Sequence, residues 1–193
     1  MSEREILALV KPSMDFSRQI EDFRIASLAA DKGMSGTGGL NNLSVPAWLA
    51  LLERKTMPET CPEGLVCDSV FLCVRECDKA LVGMINIRHR LNGYLLNYGG
   101  HVGYSIHPLH RCKGYAKEQL RLGLLQCGEL GINPVMLACE PWNAASRAVI
   151  LSQGGQFEDA RVNPDGKTLE RYWIHLDSAK SAALPPERTG YGT

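Results

Sequence analysis

The stretch His107-Pro108-Leu109-His110-Arg111-Cys112-Lys113-Gly114-Tyr115-Ala116 puts an arginine, a lysine and a glycine in a turn without an acidic residue, directly ahead of an amphipathic run. Those residue types suit an anion. A helix N-terminus offers unpaired N–H groups and the positive end of the helix dipole, and a phosphate can sit on it directly. Gly114 leaves room for close backbone approach, Ala116 keeps the second position small, and Arg111 and Lys113 add charge at the rim. On local composition alone a second reading stands level with it: two solvated cations around a glycine that only makes the turn. A P-loop is excluded because the Gly-Lys-Ser/Thr ending is missing, and a dinucleotide fingerprint because the turn is not G-x-G-x-x-G.

Other side chains could do chemistry nearby. His101 opens a strand after Gly99-Gly100; an imidazole with a pKa near 6.5 suits removal of an ammonium proton, directly or through water. The alternative is a strand-end histidine bonded to backbone. Arg88, His89, Arg90 and Asn92 close an apolar run and are read as an acceptor pocket, with Arg88 and Arg90 on one face and His89 on the other by strand alternation. Two arginines suit an acceptor with a carboxylate or phosphate; the alternative is an exposed strand end. His107 and His110 have H-x-x-H spacing, which serves a metal on a helix, but they sit in a turn with no third ligand in sequence reach, so no metal is expected. The seven cysteines, at 61, 67, 73, 77, 112, 127 and 139, form no C-x-x-C pair and read as reduced thiols of a cytoplasmic protein. Cys73 and Cys139 read as small core hydrophobes.

These residues need a frame. The chain has 193 residues, 45% of them hydrophobic, enough for one substantial core; one domain is expected over 1–177, with a disordered tail at 178–193. Lys plus Arg and Asp plus Glu balance at 21 each, which removes the global basic field that drives non-specific nucleic-acid or membrane binding. No run of about 18 apolar residues appears. A strand over 5–11 is followed by a helix capped at Asp15 and ending near Gly33, then by the glycine-rich segment 33–42, expected as a flexible connection, and a helix after Ser44. Two apolar runs, 69–76 and 80–91, turn at Asp78-Lys79 as an antiparallel hairpin. The strand 101–108, a helix from Ala116 to Leu130, a buried strand 134–140, a helix within 142–155 and a hairpin around Asn163-Pro164-Asp165-Gly166 complete the order β-α-α-β-β-β-α-β-α-β-β. That order predicts an α/β (α+β) fold, a mixed and mostly antiparallel central sheet with helices on both faces.

Arg111-x-x-Gly114-x-Ala116, between a strand ending Tyr104-Ser105-Ile106-His107-Pro108 and an amphipathic helix, resembles the R/Q-x-x-G-x-G/A signature of the GCN5-related N-acetyltransferase (GNAT) superfamily. The resemblance extends through Asn143-Ala144-Ala145-Ser146, Gly154-Gly155 and the terminal hairpin, over about residues 5–176. It implies a coenzyme A pyrophosphate on the amides of Cys112, Lys113, Gly114, Tyr115 and Ala116, with Asn143 and Ser146 also on the cofactor. It implies a pantetheine arm beside the strand Gly103 to His107, where two central strands splay, and the backbone N–H of Ile106 polarising the thioester carbonyl. His101 stands where many members place a glutamate base. Ile150, seven residues after Asn143, stands where many carry a tyrosine acid, so that proton would come from Tyr104, Tyr98, Ser146 or solvent. The expectation is an acetyl-CoA-dependent N-acetyltransferase acting on a small-molecule amine, with no nucleic acid, membrane or metal, and with a homodimer allowed for. Its rivals are a coenzyme A-binding module without turnover and a peptide or protein acetyltransferase.

Overall fold

The computed structural model describes residues 5–31 and 34–176; the expected tail at 178–193 and the helix end at Gly33 lie outside them. Strand β1, Leu7–Val10, is followed by a 3-10 turn at Met14–Phe16 and helix α1, Ser17–Asp31. Asp15 lies inside that 3-10 turn rather than capping a helix; Ser13 takes the cap position, and its hydroxyl bonds the Asp15 carboxylate at 3.1 Å. Helix α2, Val45–Lys55, is capped by Ser44, whose hydroxyl accepts from the Ala47 amide, and Pro46 fits its first turn, where no intrahelical N–H is needed. Then come β2, Asp68–Arg75, β3, Leu81–Arg88, a π-helical turn at Leu95–Gly99, β4, Val102–Ile106, a 3-10 turn at Pro108–His110, and α3, Tyr115–Glu129. β5, Val135–Cys139, α4, Ala144–Ser152, β6, Gln156–Val162, and β7, Thr168–Ile174, complete the fold.

The strands form two antiparallel sheets, β1-β2-β3-β4 and β5-β7-β6, where the sequence pointed to one central sheet. Between β4 and β5 there is a single bridge, Gly100 to Leu137. Strand alternation sorts the core onto two faces. Val70, Leu72 and Val74 of β2 and Met84 of β3 pack with Ile20 and Phe23 of α1 and Trp48 and Leu52 of α2. On the opposite face Ile85 and Ile87 meet Leu120 and Leu124 of α3, Val149 and Ile150 of α4, and Leu137, Tyr172 and Ile174 of the second sheet. Each such side chain contributes roughly 1.5–3 kcal/mol by leaving water, so both helix layers are held to the β2–β3 hairpin from which the site is built. Cys127 and Cys139 are buried in the second of these layers and Cys73 in a smaller cluster with Leu7, Val82, Ile106 and Tyr115; burial pushes the Cys73, Cys127 and Cys139 thiols up to about 12, 12 and 11.

The glycine-rich segment is a packed element, contrary to the flexible connection expected. Thr37 and Leu40 are buried, and the Trp48 indole N–H donates to the Thr37 carbonyl at 2.7 Å. Gly36 has φ +75°, and a Cβ there would stand 2.4 Å from the Gly103 carbonyl oxygen. The glycines serve a backbone-on-backbone contact with β4, which composition alone reads as looseness.

Candidate active site

Strand β4 carries the geometry of the site. Arg88 N–H donates to His101 C=O at 2.8 Å and His107 N–H to Val82 C=O at 2.9 Å, while Ile106 lies opposite Gly83 and Tyr104 opposite Ile85. Antiparallel pairs alternate between bonded and non-bonded. Val102, Tyr104 and Ile106 therefore aim their N–H and C=O groups away from β3, toward β5. The Met136 carbonyl of β5 accepts from His101 N–H at 2.7 Å, so by the same alternation Met136 and Ala138 face β4. Beyond the Gly100–Leu137 bridge the two strands part, and both edges of the cleft are lined with backbone donors and acceptors.

At the far end of β4 the chain turns into α3. Cys112 and Gly114 both take left-handed conformations, φ +61° and +83°, and Gly114 is the α3 cap without a side-chain cap bond. No acceptor among the described residues meets the amides of Cys112, Lys113, Gly114, Tyr115 or Ala116; the first inward bond is Lys117 N–H to Gly114 C=O at 3.1 Å. Arg111, Cys112, Lys113 and Gly114 are exposed. The turn thus presents a row of free donors, and the α3 dipole adds positive potential there.

The side chains around this turn are arranged differently from their sequence order. Arg111 is paired with Asp31, 80 residues away at the end of α1, and its Nε donates to the Ile106 carbonyl at 3.3 Å. The turn that is free of acid in sequence has an acid in space, leaving Lys113 as the turn's cation outside any ion pair among the described residues. Tyr115 turns its ring into the core, and its hydroxyl bonds the Glu5 carboxylate and Arg75, the latter at 3.1 Å; only its backbone faces the turn. Ala116 is half-buried against the core.

His101 is buried, and its Nδ1 accepts from the Met136 N–H at 2.9 Å. Together with its own N–H it ties β4 to β5 beside the bridge. The neutral ring then carries its proton on Nε2, and burial, followed by the Arg88 charge, holds its pKa below the usual histidine range. Asn143 caps α4, its side chain accepting from Ser146 N–H at 3.0 Å. The Tyr104 hydroxyl meets the Ser146 hydroxyl at 3.1 Å, and burial raises the Tyr104 pKa to about 12. A phenol that weak is a poor proton donor to a thiolate whose ordinary pKa is about 8.5. Ile150 is 1% exposed and belongs to the core.

The strand-end cluster separates. β3 stops at Arg88, so alternation does not extend to Arg90, which is exposed. The His89 ring bonds the Ser69 hydroxyl at 2.9 Å. Arg88 and Asn92 line one cavity together with Lys55, Asp68, Tyr94 and Leu95, while Asn92 also accepts from Leu95 N–H at 2.9 Å. Lys55, Asp68 and Asp31 lie outside every sequence motif; the only hint was a charged residue immediately before an apolar strand, Asp68. The His107 and His110 rings lie 5.4 Å apart between centroids, tilted by 55°, and the His107 Nε2 faces Asp22 at 3.2 Å.

A family model described as the Acetyltransferase (GNAT) domain matches residues 63–156, the span that runs from β2 through the donor-lined turn to the end of α4. The chain carries a GNAT acetyltransferase domain. Solved structures of the same fold include a GNAT-family acetyltransferase from Bacillus anthracis, 17% identical with a TM-score of 0.60, covering 90% of this chain and 96% of that one. A spermidine N-acetyltransferase chimera from Vibrio cholerae and hSSAT is 16% identical with a TM-score of 0.62, covering 88% and 95%. RimL, a ribosomal-protein alpha-N-acetyltransferase solved with coenzyme A, is 14% identical with a TM-score of 0.63, covering 89% and 94%. Sequence comparison with curated proteins finds no match. Among the described residues, no helix of this GNAT chain is long and apolar enough to cross a membrane, and no group of three or more His, Cys, Asp or Glu could hold a metal ion.

Proposed function

We propose that this GNAT chain transfers an acetyl group from acetyl-CoA directly to the amine of a small molecule, both substrates being held in one cleft. The observation that carries the reading is the pairing of two donor rows: the free amides of Cys112 to Ala116 at the head of α3, and the outward edge of β4 at Tyr104 and Ile106. A pyrophosphate on the first and a pantetheine arm along the second would span the strand between them, with Lys113 adding charge at the phosphate end.

Acyl transfer to an amine needs a neutral nucleophile, a donor for the developing oxyanion and a route for two protons. Alignment in the cleft is worth about 7–11 kcal/mol in favourable cases. The Ile106 N–H, aimed into the cleft, is the donor assigned to the oxyanion. His101 is the side chain assigned to the ammonium proton in the family-based reading, but to accept it at Nδ1 the ring must release Met136 N–H; water is the alternative base. Ile150 supplies no acid and the Tyr104 phenol, raised to about 12 by burial, is too weak a one, so the thiolate takes its proton from solvent. Asn143 and Ser146 stand at the head of α4 beside the cleft, in reach of the cofactor side.

Thiol release from acetyl-CoA across an amine panel tests the reading, beside the melting-temperature rise that coenzyme A should give by binding only the folded state. Cofactor stabilisation with no turnover on any amine or peptide would favour a binding module, a reading supported by Ile150 in place of an acid. Turnover on peptides alone would move the acceptor to proteins. The cell compartment proposed is the cytoplasm.

A further inference from the structure

The cavity at the end of β3 measures about 190 Å³, and two cations, Lys55 and Arg88, face a single carboxylate, Asp68, across it. Lys55 and Asp68 are both buried and already paired. Arg88 has no carboxylate partner among the described residues: its Nη1 donates to the carbonyls of Gly99 and Gly100 at 3.3 and 2.9 Å, and Asp68 acts on it only through space. A largely buried guanidinium solvated by two carbonyl dipoles is short of one negative charge. Its Nη2 also lies against β4, 3.7 Å from where a Cβ on Gly103 would stand, so the same side chain joins the cavity to the strand that borders the cleft.

We infer that this cavity receives a carboxylate of the acceptor, paired with Arg88, so that the acceptor is a small amine carrying a single negative charge. The inference rests on the acetyltransferase reading and narrows its substrate class. Asp68 decides between one charge and two. It is 5% exposed, and its Oδ1 is buried with no hydrogen-bond partner among the described residues, so a dianionic phosphate set beside it meets a like charge in a poorly solvated place. A linear diamine or polyamine is disfavoured for the opposite reason, since it adds cations where two already outnumber the carboxylate. Leu65, Val66, Tyr94 and Leu95 give the cavity wall apolar surface with one hydroxyl, which fits the carbon skeleton between a carboxylate and an amine.

The test uses the full chain with coenzyme A present and measures binding by calorimetry for the standard amino acids, their carboxamides, linear diamines and O-phosphoethanolamine. At least one amino acid should bind roughly 10-fold or more tightly than its own carboxamide and than every diamine, since a site built for a polar group rejects the analogue that lacks it. Arg88→Gln should abolish that difference while the stabilisation by coenzyme A persists. Binding of carboxamides or diamines as tight as that of the amino acids, absence of binding by every amino acid, or a preference that survives Arg88→Gln would each overturn the inference. Should Arg88→Gln fail to fold, Asp68→Asn replaces it: removing the cavity's carboxylate should improve O-phosphoethanolamine roughly 10-fold, and an unchanged affinity overturns the proposal. If wild-type protein is not stabilised by coenzyme A, the acetyltransferase reading itself fails; a lost carboxylate preference with cofactor binding intact strikes only the acceptor class.

Discussion

Gln119 of α3 places its side-chain oxygen where a Cβ on Gly83 would be, 1.9 Å from the ideal position, with the Ser105 carbonyl oxygen 2.9 Å from it. Its amide donates to the Met84 carbonyl at 2.8 Å. Helix α3 is therefore keyed into the β3–β4 pair beside Ile106. Gly83→Ala should destabilise the chain by roughly 1–3 kcal/mol in denaturant unfolding, because a buried strand and a buried amide cannot both yield. Coupling in a cycle with Gln119→Ala checks the cause, since the double variant should recover part of the loss.

His101 gives a pH signature. Its pKa is held below the free value of 6.5 by burial and by Arg88, so the unfolded state binds the proton more readily than the native one. The stability it contributes is present above about pH 6.5 and is lost as pH falls toward the native pKa. His101→Gln keeps an acceptor for Met136 N–H and should remove that acid-side slope with little loss of stability, while His101→Ala leaves a buried donor unpaired at a cost of about 1–3 kcal/mol. Turnover of the Gln variant within a few-fold of wild type would assign His101 to joining the strands; a fall of roughly 10²-fold with unchanged cofactor affinity would assign it to proton transfer.

Gly114 has open space around its missing side chain but φ +83°. Gly114→Val should therefore fold, carry roughly 1–3 kcal/mol of backbone strain, and lose coenzyme A affinity by 10-fold or more, roughly, because the side chain stands over the free amides. Lys113→Ala should weaken binding only modestly and flatten its salt dependence. Isothermal titration at two ionic strengths reads both, and normal affinity in Gly114→Val would place the pyrophosphate elsewhere.

Installing at position 150 the tyrosine acid that the family resemblance implies should fail. Ile150 is 1% exposed, and Gly155 packs so closely on it that a Cβ there would stand 2.5 Å from the isoleucine methyl group. Ile150→Tyr should destabilise the chain by about 1–3 kcal/mol through overpacking, with no gain in turnover; a stable and faster variant would show that the position opens to the cleft.

The elements were legible where local chemistry fixes them. Ser44 before Val45-Pro46, the Asp78-Lys79 turn and Gly114 ahead of an amphipathic run each carry a start or a turn in their own side chains. What stayed hidden joins residues far apart in the chain. Asp31 neutralises Arg111 across 80 residues, Lys55 meets Asp68 across a turn-rich segment, and Gly36 lies on Gly103 because two backbones meet. No periodicity encodes such contacts. The early end of β3 at Arg88 was hidden for a related reason: the polar residues after it look like alternation, while the chain has already turned toward Asn92.

The parting of β4 and β5 has a cost in colloidal behaviour. Tyr104 and the Ile106 N–H on one side and Ala138 on the other present peptide groups that no neighbouring strand satisfies among the described residues, and such bare borders invite the backbone of another molecule to dock on them. An amide-bearing arm laid in the opening would do the work of a missing strand. On that view the apo form should be the more prone to clump on concentration, and saturating coenzyme A during purification would keep the protein dispersed as well as ready to react.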